Sequence, residues 1–165
     1  MAKRVAEFLK VSFEQFAEGY RDSFGECDEK LIREVYDSLK LPRRATRGSA
    51  GYDFFAPIDL SLEPGETVKI PTGIRVKIAT DWVLKCYPRS GLGFKYRLQL
   101  NNTVGIIDSD YYMSDNEGHI FAKITNDSKE GKSVNIPAGT GFIQGIFIEY
   151  GITVDDEVTE ARNGG

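Results

Sequence analysis

Histidine and cysteine are almost missing from this chain. Its 165 residues include one histidine, His119, and two cysteines, Cys27 and Cys86. A single imidazole argues against a His-based triad or a His metal cage. Two scattered thiols make neither a disulfide framework nor a zinc site, so a reducing cytoplasm is expected. No apolar run approaches the roughly 20 residues that a membrane helix needs. The opening MAKRVAEFLK is basic but leads into no apolar segment, so neither a signal peptide nor a membrane partner is expected. A basic excess is absent too. The formal net charge of -4 argues against a surface that displaces counterions from duplex nucleic acid. It leaves room for a small nucleotide, which needs only a local cluster of cations. With 41% hydrophobic and 28% charged residues, the composition is that of a soluble globular domain with an appendage at most.

What is present has two textures. Up to about residue 40 the chain reads helical. Ser12 precedes Phe13, Phe16, Tyr20 and Phe24 at helical spacing, and Ser12 with Gln15 fits a capping box. Gly25 interrupts. Asp28 can cap a second helix with Leu31, Ile32, Val35, Tyr36 and Leu39 on its apolar side, ended by Pro42. Two short amphipathic helices cannot bury such faces alone, so they are expected to pack on each other and on the main body. From residue 43 the texture changes. ETVKIP, GIRVKI, WVLKCY, HIFAKI, SVNIP and GFIQGIFIEY are short, β-branched or aromatic, and partly alternating. No useful helical period recurs before Val154. Many short strands suggest a sandwich, jelly roll or barrel. The final DDEVTEARNGG is polar and reads as a mobile arm.

Several short blocks could carry chemistry. In AGYDFFA, Asp53 sits among aromatics, as a turn former or as a ligand to a hard cation or its water. In YPRSGLGFKY, Arg89 can fork onto phosphate oxygens and Ser90 offers a hydroxyl. Gly91 and Gly93 let bare backbone N–H groups approach an anion, although the same letters make a plain turn. GTGFIQGIF places Gln144 inside an apolar strand, where its amide must find partners. Arg162 lies on the polar arm. NTVGIIDSDYY runs an apolar stretch into Asp108 and Asp110, beside Tyr111 and Tyr112.

Taken in order, AGYDFFA, PRSGLGFKY, NTVGIIDSDYY, GTGFIQGIF and RNGG resemble the motifs of the homotrimeric all-β dUTPases. The resemblance covers about residue 41 to the end. It implies a mainly β, jelly-roll-like barrel over residues 41–151, preceded by a helical extension over 1–40 and followed by a flexible arm over 152–165. It implies hydrolysis of dUTP to dUMP and pyrophosphate. NTVGIIDSDYY would be a β-hairpin whose Asn102, Gly105, Ile106 and Ile107 read the uracil edge, with Phe121 touching the base. Tyr111 would lie under the deoxyribose and exclude a 2′-hydroxyl. Asp108 would orient and deprotonate the water that attacks the α-phosphorus. Asp110 would be paired structurally in a subunit contact. Arg89, Ser90 and Gly91 resemble the triphosphate cradle, Gln144 the α-phosphate contact, and Arg162 an arm residue closing over an anion. Asp53 would meet Mg²⁺ through water, with the ion held mostly by substrate phosphates. A homotrimer with sites between subunits is implied.

Three features depart from that pattern. The family's last motif continues past the two glycines with an aromatic and small hydroxyl residues, whereas this chain stops at Gly165. An arm cut before the end of that motif is expected to weaken turnover more than binding. YMSDNEGHIF inserts a polar loop after Tyr111, and the extension before residue 41 is unusual. Two other functions stay open at this level: a dCTP deaminase or bifunctional relative, and a non-catalytic dUTP-binding regulator.

Overall fold

Burial alternates along Ile74–Ile78, with the first, third and fifth residues inside, as a strand with one solvated face requires. The same period recurs in most of the apolar blocks, and the fold is built from them. The computed structural model describes residues 1–164. In chain order the strands and helices are β1 (Ala6–Lys10), α1 (Phe13–Phe24), α2 (Glu29–Ser38), β2 (Arg43–Arg44), β3 (Tyr52–Phe55), β4 (Leu60–Leu62), β5 (Thr67–Pro71) and β6 (Ile74–Ile78). There follow β7 (Trp82–Pro88), α3 (Ser90–Tyr96), β8 (Leu98–Leu100), β9 (Gly105–Ile107), a 3-10 turn over Ser109–Met113, β10 (Phe121–Asn126), β11 (Val134–Ile136) and β12 (Gly141–Glu149). The protein is mainly β, as expected.

The strands form four sheets around one core. The largest has the order β2-β3-β12-β7-β9, beside β5-β10-β8, β11-β4 and β1-β6. Phe54, Leu84, Phe142 and Ile143 from the five-stranded sheet and Ile124 from the three-stranded one are all at most 1% exposed and pack in one cluster. Burying each such side chain contributes about 1.5–3 kcal/mol. Buried Asn126 ties the layers together, donating from Nδ2 to the carbonyls of Leu62 (2.9 Å) and Lys132 (2.8 Å).

The amphipathic helices pair as their patterns require. Val11, Phe13, Phe16, Ala17, Tyr20 and Ile32 form a second cluster, joined to the first through Phe24 and Ile58. Ser12 caps α1, accepting from the Gln15 N–H, and Asp28 caps α2, accepting from the Lys30 N–H. Other expectations need correction. Ala6–Lys10, inside the stretch expected to be helical, is a strand antiparallel to β6. Its five residues fit either period, and the open edge of β6 decides. The second helix stops at Ser38, short of Pro42. Ser90–Tyr96, expected as a loop, is a helix that ends on left-handed Arg97. Two glycines masked its period.

His119 is the one wholly buried imidazole. Its Nε2 accepts the Gly73 N–H at 3.0 Å, so the ring proton sits on Nδ1 and is donated to Gln15 Oε1 at 3.0 Å. Burial drives its pKa from 6.5 down to about 4, against the pull of Glu117 and with the help of Lys69. The unfolded chain takes up this proton below about pH 6.5, while the fold resists it until about pH 4. Stability is therefore full above that window and falls through it as pH drops, by about 3 kcal/mol. In His119→Gln, urea midpoints measured from pH 7.5 to 5 should lose this slope. A slope equal to that of the parent chain would assign the pH dependence to another group.

Candidate active site

The residues singled out in the sequence gather into two clusters, one at each end of β7. The first surrounds a cavity of about 250 Å³, lined by Ile106, Ile107, Asp108, Tyr111, Ile120, Phe121 and Arg162. Its floor is β9, the edge strand of the five-stranded sheet. One side of β9 pairs with β7, Gly105 opposite Cys86 and Ile107 opposite Leu84. The other side leaves backbone N–H and C=O groups free of sheet partners. Gly105 lets the two strands pack tightly there, since a Cβ would come within 3.2 Å of the Cys86 Cβ. Asn102 lies in the turn before β9, its carbonyl accepting the Val104 N–H at 2.7 Å.

This stretch is not the regular hairpin expected. β8 pairs with β10 while β9 pairs with β7, so the two strands flanking the turn belong to different sheets. After Ile107 the strand stops, and Asp108 precedes the 3-10 turn with its carbonyl accepting the Tyr111 N–H at 3.1 Å. Asp108 and Asp110 still converge, through a common cation. Arg162 donates from Nη2 to Asp108 Oδ2 and from Nε to Asp110 Oδ1, both at 2.8 Å. Its guanidinium stands 5.8 Å from the centre of the Tyr111 ring. The Asp110 hydrogen bond, aided by both carboxylate charges, outweighs burial and raises the Arg162 pKa above its ordinary value. Five guanidinium N–H donors exceed the two used here, so Arg162 can still meet an anion in the cavity. The arm arginine was expected to face an anion, and its partners in this structure are the two acids.

Tyr111 is held at its hydroxyl. Oη donates to the His119 carbonyl (3.0 Å) and accepts from Asn116 Nδ2 (2.8 Å). Phe121 starts β10, and its ring lies against His119 at a 43° tilt with centroids 4.2 Å apart. Asn116 and His119 thus shape the cavity although neither stood out in the sequence. A polar loop with one histidine carries no local signal of what it holds.

The second cluster lies beyond the other end of β7. Asp53 on β3, Gln144 on β12 and Tyr87 on β7 form one cross-strand row. Gln144 packs against the bare backbone of Gly51, where a Cβ would collide with Oε1. Arg89, at the residue before α3, places Nε 3.3 Å from Asp53 Oδ1, with the Asp53 side chain only 15% exposed. Gly141 leaves room for Arg89, since a Cβ there would come within 3.0 Å of Nη1. Ser90 and Gly91 open α3, ahead of its first internal bond from the Gly93 N–H to the Arg89 carbonyl. Their N–H groups are free to meet an anion. A shallow cavity of about 330 Å³ runs past Arg89, Gly91, Thr140 and Gly141.

The two clusters share no lining residue. Ile107, next to Asp108, pairs with Leu84, while Arg89 follows Pro88. Four residues of strand, roughly 13 Å, separate the acid end from the phosphate-like end. Among the described residues no three His, Cys, Asp or Glu side chains converge as a metal cage, and no helix is long and apolar enough to cross a membrane.

A family model described as dUTPase matches residues 37–164. The deoxyuridine 5′-triphosphate nucleotidohydrolase of Lactococcus lactis is 41% identical over 130 residues, 77% of this chain and 85% of that protein. The Haemophilus influenzae protein of the same name is 40% identical over 147 residues, covering 84% of this chain and 93% of its own. Among solved structures, the dUTPase from Streptococcus mutans superposes with a TM-score of 0.63 at 31% identity, over 90% of this chain and 98% of that one.

Proposed function

This chain belongs to the dUTPase family, and we propose that it hydrolyses dUTP to dUMP and pyrophosphate at a site shared between copies of the chain. The observation that carries the reading is the cavity along the free edge of β9, bounded by Asp108, Tyr111 and Phe121. A uracil edge needs fixed donors and acceptors, and an unpaired strand edge supplies both. Ile106 and Ile107 supply that edge and the apolar walls, with Asn102 in the turn that leads into it. Tyr111 stands under the deoxyribose, where its ring crowds a 2′-hydroxyl.

Asp108 is the general base in this reading. It leaves the end of an apolar strand, so its backbone is held by the sheet, and its side chain is 54% exposed, open to water. It orients a water and takes its proton as the oxygen attacks the α-phosphorus. Arg89, with Ser90 and the opening N–H groups of α3, receives the charge that develops on the departing pyrophosphate. Gln144 faces the α-phosphate. Asp110 keeps Arg162 over the cavity.

The donor set suits Mg²⁺ in one way only. A single carboxylate, Asp53, lies in the phosphate cluster, and Mg²⁺ commonly takes one or two carboxylates with substrate phosphates and retained waters. Asp53 would hold the hydrated ion, which would neutralise phosphate charge.

The distance between the two clusters supports assembly. A base cavity at one end of β7 and a phosphate cradle at the other are united when a second copy brings its cradle to the first copy's cavity. Closed rotational symmetry, as in a homotrimer, repeats that junction at each interface. The decisive measurement is product analysis with Mg²⁺ and, separately, dUTP, dCTP, dTTP and UTP. The expected result is dUMP and pyrophosphate from dUTP alone. Ammonia from dCTP, or tight dUTP binding without any product, would replace this reading.

A further inference from the structure

The N-terminal extension and the polar loop after Tyr111 meet in the fold. Ser12 caps α1, and the side chain three residues on, Gln15, should return to the Ser12 N–H to complete a capping box. It does not. Glu117, from the polar loop, takes that place: Oε1 accepts the Ser12 N–H (2.8 Å) and Oε2 accepts the Ser12 hydroxyl (2.6 Å). Gln15, released, accepts from His119 Nδ1 at 3.0 Å. One turn further, Gly19 leaves space for the Phe121 and His119 rings. A Cβ there would come within 2.9 Å of Phe121 Cζ and 3.2 Å of His119 Cε1.

The loop passes this constraint to the cavity. Glu117 and Gly118 both have positive φ, at 60° and 70°. A non-glycine residue holds that conformation only when its surroundings fix it, and the two Ser12 bonds do so for Glu117. Gly118 lies directly on the Tyr111–Tyr112 backbone, so close that a Cβ would come within 2.7 Å of the Tyr111 carbonyl. Asn116 accepts the Gly118 N–H (3.1 Å) and donates to the Tyr111 hydroxyl (2.8 Å). The His119 carbonyl accepts that same hydroxyl's proton at 3.0 Å. Of two walls of the cavity, Phe121 therefore meets α1 directly at Gly19, and Tyr111 is one residue, His119, removed from it.

We propose that α1 is a positioning platform for the sugar- and base-facing walls of the site, acting through Ser12 and Gln15 on the 114–119 loop and through Gly19 on Phe121. Ser12, Gln15, Glu117 and His119 are positioning residues: none touches substrate, and each sets where Tyr111 or Phe121 stands. The inference rests on the reading of Tyr111 as the residue beneath the deoxyribose. It gives the extension a role in choosing dUTP over UTP.

The test measures kcat and KM for dUTP and UTP in the whole chain and in Tyr111→Ala, Ser12→Ala, Ser12→Thr and Gly19→Ala. Tyr111→Ala should lower the dUTP-to-UTP preference about a hundredfold. Ser12→Ala and Gly19→Ala should lower it about tenfold, through a lower KM for UTP with kcat for dUTP held within about threefold. Ser12→Thr keeps a capping hydroxyl and should keep the parent preference. Gly19→Ala guards against a folding artefact, because alanine strengthens the helix while displacing the Phe121 ring. If Tyr111→Ala leaves the preference unchanged, the sugar reading fails and this proposal falls with it. If Tyr111→Ala relaxes the preference while Gly19→Ala and Ser12→Ala keep it, the proposal alone is overturned.

Discussion

Asp108→Asn should still bind dUTP and lose turnover by about a thousandfold, the middle of the range that a positioned general base supplies. The substitution keeps the shape of the side chain and an oxygen that can accept from Arg162 Nη2, now at 2.8 Å from Asp108 Oδ2. It removes the capacity to take a proton from water, together with the charge that Asp108 shares with Arg162. Pyrophosphate release gives kcat, and calorimetry with a non-hydrolysable dUTP analogue gives Kd. Asp110→Asn is the necessary companion, because Asp110 shares the same guanidinium. Loss of that carboxylate should loosen the arm and lower kcat by roughly tenfold at most, far less than Asp108→Asn. Near-normal turnover in Asp108→Asn would place the base elsewhere, and a collapse of kcat in Asp110→Asn would nominate the neighbour.

A second large effect concerns two defective chains that repair each other. Arg89→Ala should fail by removing the forked donor of the phosphate cluster, as Asp108→Asn fails at the base cavity. The two clusters lie at opposite ends of β7 and share no lining residue. If each site takes its cavity from one copy and its cradle from another, co-assembly of the two variants in equal amounts restores about a quarter of the sites. If both halves of a site come from one copy, every site carries one defect and no activity returns. The comparison needs no knowledge of the number of subunits. Activity at the level of the separate variants after mixing and refolding together would show that each chain builds its own site.

Much of this protein is legible in its order of residues. The strands β5, β6, β7, β10, β11 and β12 all coincide with alternating apolar blocks. Period two is a local property, and a half-buried sheet leaves it no alternative. The helices α1 and α2 start at Ser12 and Asp28 because a side-chain oxygen there satisfies backbone donors within reach. The five ordered motifs identify the family, since the chemistry of nucleotide binding demands particular side chains on particular turns.

Long-range partners were decided only in three dimensions. Nothing local says that Ala6–Lys10 is a strand, because β6 supplies its ladder from 68 or so residues away. Ser12 and Gln15 spell a capping box, yet Glu117 completes the cap from 105 residues away and sends Gln15 to His119. Asp108 and Asp110 lie just beyond the end of β9, at and in the 3-10 turn, and Arg162 gathers them from 54 and 52 residues away. The order of residues determines which side chains are available and which face of each element is apolar. Packing determines which of them meet, since a buried donor or carboxylate takes whichever partner the neighbouring element brings within about 3 Å.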